Sequence, residues 1–235
     1  MLKITDALPL REGFDCVIPV MIEKKRGKEA VVSVYEPFTD LGREFIDRFG
    51  DQLFSPDAEK WLIENIRKPI AGYGYEPDTE YGTTYSVEYS FFPSDRDRLR
   101  TDLIAPETRR IGAEELDEER NVSGLLRDEE ELGALCYGTV NEAGMIVSAA
   151  CENYAGMSGR GEHESEIAVA TSVDHAANGY AVSNAAALTQ ALLERGDTVY
   201  YVCDADNYPS CRVAEKLGFE ISACTYSLVC YKNEY

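Results

Sequence analysis

Asp204-Ala-Asp-Asn-Tyr-Pro-Ser-Cys-Arg-Val-Ala-Glu-Lys-Leu-Gly-Phe219 follows the apolar run Val199-Tyr-Tyr-Val-Cys203. The run reads as a strand. Asn207 is a helix-opening or turn residue, Pro209–Leu217 reads as a short helix, and Gly218 stops it. Upstream, Glu166 to Arg195 reads as a second strand–loop–helix, with Asn178-Gly-Tyr-Ala181 at its turn. Each unit delivers backbone N–H groups to one edge of a sheet. That is how a protein holds a phosphorylated ligand with few charged side chains.

Working outward, Leu135–Val140 and Met145–Ala150 flank Asn141-Glu-Ala-Gly144, a hairpin signal. Ile167–Thr171 reads as a strand and Tyr180–Arg195 as a helix ended by Gly196. Phe219–Cys224 and Tyr226–Tyr231 read as two closing strands. The order predicts an α/β (α+β mixed sheet) fold, with helices covering the sheet.

The first hundred residues read as a smaller α+β unit. Phe14–Glu23 and Ala30–Tyr35 read as the strands of a hairpin around the basic turn Lys24–Lys28. Thr39 to Phe49 reads as a helix. Ser55-Pro56 opens another, with serine as N-cap and proline at the first helical position, and Pro69 is expected to end it. Tyr85, Val87, Tyr89 and Phe91 alternate as in a half-buried strand. The polar segment Pro93–Asp102 reads as a linker, so the expected domains are 1–105 and 106–235. The acidic stretch Glu114–Glu131 reads as a solvated face.

Composition bounds the function. With 43 acidic and 23 basic residues the net charge is −20. That argues against nucleic acid, whose binding rests on Lys and Arg neutralising phosphates, and against an anionic membrane surface. Such acidity either attracts a cationic substrate or serves solubility. Seven cysteines without a C-x-x-C and only two histidines give a zinc site little support, so no metal is expected. Cys16-Val-Ile-Pro-Val-Met-Ile22 is too short for a signal peptide, and no segment approaches the ~20 residues that span a bilayer. A reducing, cytoplasmic setting is expected.

The segments Glu166–Ala181 and Asn207–Phe219 together resemble the GNAT superfamily of acyl-CoA-dependent N-acetyltransferases, over the half of the chain from near residue 108 onward. The first resembles its cofactor strand and pyrophosphate loop, the second its other cofactor motif. The resemblance implies acetyl-CoA as acyl donor. Thr171 and Val173 would pair with the pantetheine arm, which adds itself like a strand. Ala176, Ala177, Asn178, Gly179, Tyr180 and Ala181 would cradle the pyrophosphate, and Asn207 and Ser210 would meet the pantetheine or open the helix. Arg212 and Lys216 are further candidates for phosphate contacts.

Two positions depart from the family's pattern. Ala176 stands where Arg or Gln is usual. Ala214 stands where many members carry the tyrosine that protonates the leaving thiolate, so Tyr208 or Tyr226, or solvent, would serve. Glu166, then Glu152, are the candidate bases for the amine, because a buried carboxylate can take its proton. The expected activity is acetyl transfer to a primary amine, a small molecule, by direct attack in a ternary complex. Residues 1–105 would shape the acceptor pocket or a homodimer contact. The alternatives are a non-catalytic acyl-CoA-binding protein, or an interaction protein that acts through residues 1–105.

Overall fold

A computed structural model describes residues 1–77, 83–112, 115, 135–153 and 161–233. The strands and helices are, in order, β1 (Leu2–Thr5), α1 (Leu8–Glu12), β2 (Cys16–Lys25), β3 (Val31–Tyr35), α2 (Thr39–Phe49), α3 (Pro56–Ala71), β4 (Tyr75–Pro77) and β5 (Thr83–Phe91). After them come β6 (Thr108–Arg110), β7 (Cys136–Val140), β8 (Ile146–Glu152), β9 (Glu164–Thr171), α4 (Tyr180–Arg195), β10 (Thr198–Asp204), α5 (Tyr208–Leu217) and β11 (Glu220–Lys232). Parallel and antiparallel pairs make this a mixed-sheet α/β fold.

The described residues divide into two compact units, Met1–Val87 with Ser222–Tyr235, and Glu88–Ile221. The chain crosses between them inside β5 and inside β11. The sequence-based boundary at 105/106 coincides with neither crossing. Apart from Glu115, the acidic stretch 114–131 lies outside the described residues.

In the first unit β1 runs parallel to β3, β3 antiparallel to β2, β2 antiparallel to β11, and β11 antiparallel to β4. Helices α2 and α3 bury Phe45, Leu62, Ile66 and Ile70 against Val20, Ile22, Val32 and Val34. Phe45 and Trp61 stack with centroids 5.9 Å apart. A Leu-to-Ala change in such a core costs about 2–5 kcal/mol. Ser55 caps α3, its Oγ accepting the Ala58 N–H at 3.3 Å.

Several details depart from the sequence-based expectation. Helix α3 continues through Pro69 to Ala71. Pro69 sits in the last turn, where its missing N–H costs only one helical bond. The closing pair of strands is one strand, β11, because nothing at Cys224-Thr225 favours a turn and β-branched Thr225 stays extended. Segment Pro93–Leu103 is wound into two short 3-10 turns. Strand β1 and helix α1 carry no pattern that the sequence alone reveals.

In the second unit β6, β7, β8 and β9 are successive antiparallel neighbours, and β9 is parallel to β10. Strand β8 is buried at every position. Helix α4 joins β9 to β10 and packs across β7, β8 and β9. Its apolar stripe includes Ala185, Ala186, Leu188 and Leu192, all buried.

Candidate functional site

The site begins where two parallel strands part. The register of β9 with β10 runs from Glu164/Thr198 to Ile167/Tyr201 and stops there. Both strands continue, as Ala168–Thr171 and as Val202–Asp204. On its other edge β9 stays paired with β8 as far as Thr171/Ser148. The last half of β9 therefore presents one edge of unpaired peptide groups toward the gap. Such an edge accepts an extended, amide-bearing ligand as a further strand.

At the end of that edge the chain turns into α4. Ala177 has φ +64° and Gly179 φ +84°, both left-handed, and Gly179 is the N-cap. A left-handed residue costs about 1–2 kcal/mol for any side chain but glycine. Ala177 bears that cost to bend the loop. The helix has no side-chain cap and no acidic residue in its first turn. The N–H groups of Tyr180, Ala181 and Val182 are thus left for an outside acceptor, together with the positive end of the helix dipole. A Cβ built on Gly179 would meet no atom within 4 Å, so the loop leaves open space above its backbone.

Loop, strand edge and the start of α5 line one cleft of about 560 Å³. Arg212 and Lys216 line it from α5, placing two cations there in a chain of net charge −20. Asn207 caps α5, its Oδ1 accepting the Ser210 N–H at 3.2 Å. That leaves the Ser210 hydroxyl free to meet Tyr201, whose Oη is 2.8 Å from Ser210 Oγ. Tyr201 is 3% exposed. Burial pushes its hydroxyl up to about 12, against the opposing hydrogen bond with Ser210.

Two polar networks hold the walls. Thr171 Oγ1 lies 2.8 Å from Ser148 Oγ, which accepts from Asn184 Nδ2 of α4 at 3.0 Å. Asn184 Oδ1 in turn accepts from Thr108 and Thr139. At the other end of α4, Arg195 binds Glu152 and Asp197, two carboxylates with side chains only 3% exposed. Burial works to raise the pKa of Asp197. Hydrogen bonds from Arg195 and Ser165 outweigh it and hold the carboxyl below its usual range.

Residues 157–228 match the model of the FR47-like protein family, which is related to the GNAT acetyltransferases. Among solved structures, a Drosophila protein aligns at TM-score 0.51 with 10% identity, over 72% of this chain and 56% of that one. A GCN5-related N-acetyltransferase-like protein from Streptococcus suis aligns at TM-score 0.49 with 22% identity, covering 92% of this chain and 89% of its own. A GCN5-related N-acetyltransferase from Sphaerobacter thermophilus aligns at 0.48 with 10% identity, over 90% and 76%. No curated protein matches the chain.

Residues 157–228 are thus similar to the FR47-like family.

Of the residues expected to meet a cofactor, Thr171, Ala176, Ala177, Asn178, Gly179, Tyr180, Ala181, Asn207 and Ser210 all line the cleft. Val173 does not, and its side chain is 85% exposed. Neither catalytic candidate lines it. Glu166 pairs in register with Tyr200, on the face opposite Tyr201, and accepts from Asn153 Nδ2 at 2.9 Å. Tyr208 is 69% exposed. Glu152 is committed to Arg195 and to the Leu135 N–H. Tyr226 is buried in the other compact unit.

Sequence reasoning missed Tyr201 and His175, which also lines the cleft. The available signal for Tyr201 was Ser210, three residues after the cap, which turns a hydroxyl toward the preceding strand. Among the described residues no helix is long and apolar enough to cross a membrane, and no cluster of His, Cys, Asp or Glu could hold a metal. None of the seven cysteines is in a disulfide.

Proposed function

We propose that this chain transfers an acetyl group from acetyl-CoA to a small primary amine by direct attack in a ternary complex. The observation that carries this is the continuity of the bare edge Ala168–Thr171 with the uncapped start of α4 at Gly179. One holds an amide-bearing arm and the other a pyrophosphate, in the order that CoA presents them. The residues present therefore fit the cofactor, with Arg212 and Lys216 supplying positive charge.

CoA would supply the thioester to be cleaved. An arm running inward from the loop along β9 ends at the last paired rung, Ile167/Tyr201. Tyr201 thus stands at the reacting end. The amine nitrogen forms the new bond to the carbonyl carbon, and the carbon–sulfur bond breaks. Tyr201 Oη would give its proton to the departing sulfur and regain one from solvent, which takes up the proton that the amine releases. A hydroxyl with its pKa near 12 stays protonated at neutral pH and so remains able to donate. The thiolate is a weak base that needs only modest help. With seven cysteines and no disulfide among them, a reducing cytoplasm suits the chain. Residues 1–105 would contribute the acceptor pocket or a homodimer contact.

A second reading, non-catalytic acyl-CoA binding, draws on the position of Glu166 and Tyr208 outside the cleft and on Ala214, which is fully buried. Mass-detected acetyl transfer across a panel of primary amines separates the two. Acetylated product in the wild type, lost in Gly179→Trp, supports the transferase. CoA binding without any product leaves only the second reading.

A further inference from the structure

The unit formed by Met1–Val87 and Ser222–Tyr235 holds a cavity of about 150 Å³, lined from Leu53–Pro56, α3, β5 and β11. None of its residues lines the CoA cleft. Its apolar part is Leu53, Phe54 and Tyr85. The rings of Phe54 and Tyr85 lie 5.9 Å apart, tilted by 58°. Its polar part is Glu59, Thr83 and Tyr226.

Tyr226 is the anomaly. The residue is only 6% exposed, and its hydroxyl completes no hydrogen bond of ordinary geometry among the described residues, with Thr83 a loose neighbour. Buried hydroxyls are almost always paired, because leaving one unpaired is costly. Its polar neighbours are Glu59 and Thr83. Thr83 already donates its proton to Glu59 Oε1, at 2.5 Å. The three side chains together offer more acceptors than donors, and one carries a negative charge. The nearby helix end does not correct this. Ser55 takes the Ala58 N–H, and Pro56 has none to give. An anion would be repelled by Glu59. What the cavity lacks is a cationic N–H donor, and aromatic faces attract cations too.

We propose that this cavity binds the ammonium end of a small primary amine. Glu59 neutralises the charge, Tyr226 accepts an N–H, and Phe54 and Tyr85 pack on the attached carbons. The volume matches roughly five waters, which suits a chain the length of propylammonium.

Ligand-observed NMR titration of the full chain with propylammonium chloride, beside propanol, tests this. Propylammonium binds the wild type more tightly than propanol does. Glu59→Gln weakens it about tenfold or more, the scale of a charge-assisted hydrogen bond, and Tyr226→Phe roughly fivefold. Without ligand, Tyr226→Phe melts no lower than the wild type, since it deletes a buried hydroxyl that is poorly satisfied. Both variants bind CoA as the wild type does, which separates this site from the cleft. No binding of propylammonium would mean a cavity holding water only and would overturn the proposal. So would equal affinity for propanol, or unchanged affinity in Glu59→Gln.

Discussion

The hydroxyls of Tyr201 and Ser210 lie 2.8 Å apart at the rung where β9 and β10 separate. In the proposed transfer this pair would supply what Ala214 cannot, a protonated hydroxyl at the inner end of the cleft. Tyr201→Phe should lower kcat for acetyl transfer by about 100-fold, the low end for general-acid catalysis with a good leaving group. KM for acetyl-CoA should not change, because the hydroxyl acts only as sulfur departs. Steady-state kinetics with mass detection checks both. The rate should also show no alkaline fall assignable to Tyr201 below pH ~10, given a pKa of about 12.

The same shift has a consequence for stability. Burial raises the hydroxyls of Tyr85 and Tyr201 to about 12, and those of Tyr89 and Tyr226 further. The folded state then holds protons that the unfolded chain releases near pH 10. This stability is fully present below pH ~10 and is lost as pH rises toward ~12. For Tyr201 alone it amounts to roughly 2–3 kcal/mol. Melting temperatures measured across pH 8 to 11 should be flat and then fall steeply, and Tyr201→Phe should blunt the fall.

Arg195 bonds both members of the buried pair Glu152 and Asp197, and His163 lies 3.6 Å from Asp197. Arg195→Met should destabilise the domain by about 3–5 kcal/mol, since it strands two carboxylates in the interior. Chemical denaturation gives the figure directly. In the wild type the depressed pKa of Asp197 means its contribution is present above pH ~4 and lost as pH falls below it.

Ala177 pays for a left-handed backbone that glycine adopts freely. Ala177→Gly should therefore be neutral or stabilising by up to ~1 kcal/mol, where the same change in α4 at Ala186 should cost at least ~1 kcal/mol. Paired melting curves distinguish the two sites.

Much of the second unit was legible because its signals are local. The turn at Asn141–Gly144, the stop at Gly196 and the Asn207–Gly218 helix each announce themselves within a few residues. What stayed hidden depends on distant partners. Strand β1 pairs in parallel with β3, so no hairpin turn marks it. Tyr200 and Tyr201 are adjacent, and the pleat sends one to Glu164 and the other to Ser210. Nothing in the run Val199–Cys203 says which faces the cleft. Glu166 is a candidate base because its strand resembles the family's cofactor strand, and alternation points it to the face opposite Tyr201.

In the proposed complex CoA lies on the bare edge of β9 with its pyrophosphate at Gly179. Titration calorimetry of CoA into the wild type and Gly179→Trp tests it most directly. The wild type should bind one CoA per chain, and the indole, projecting into the open space over the loop, should abolish that binding while the fold persists. A wild type that takes up no CoA, or a folded Gly179→Trp variant that binds it as tightly, would contradict the account.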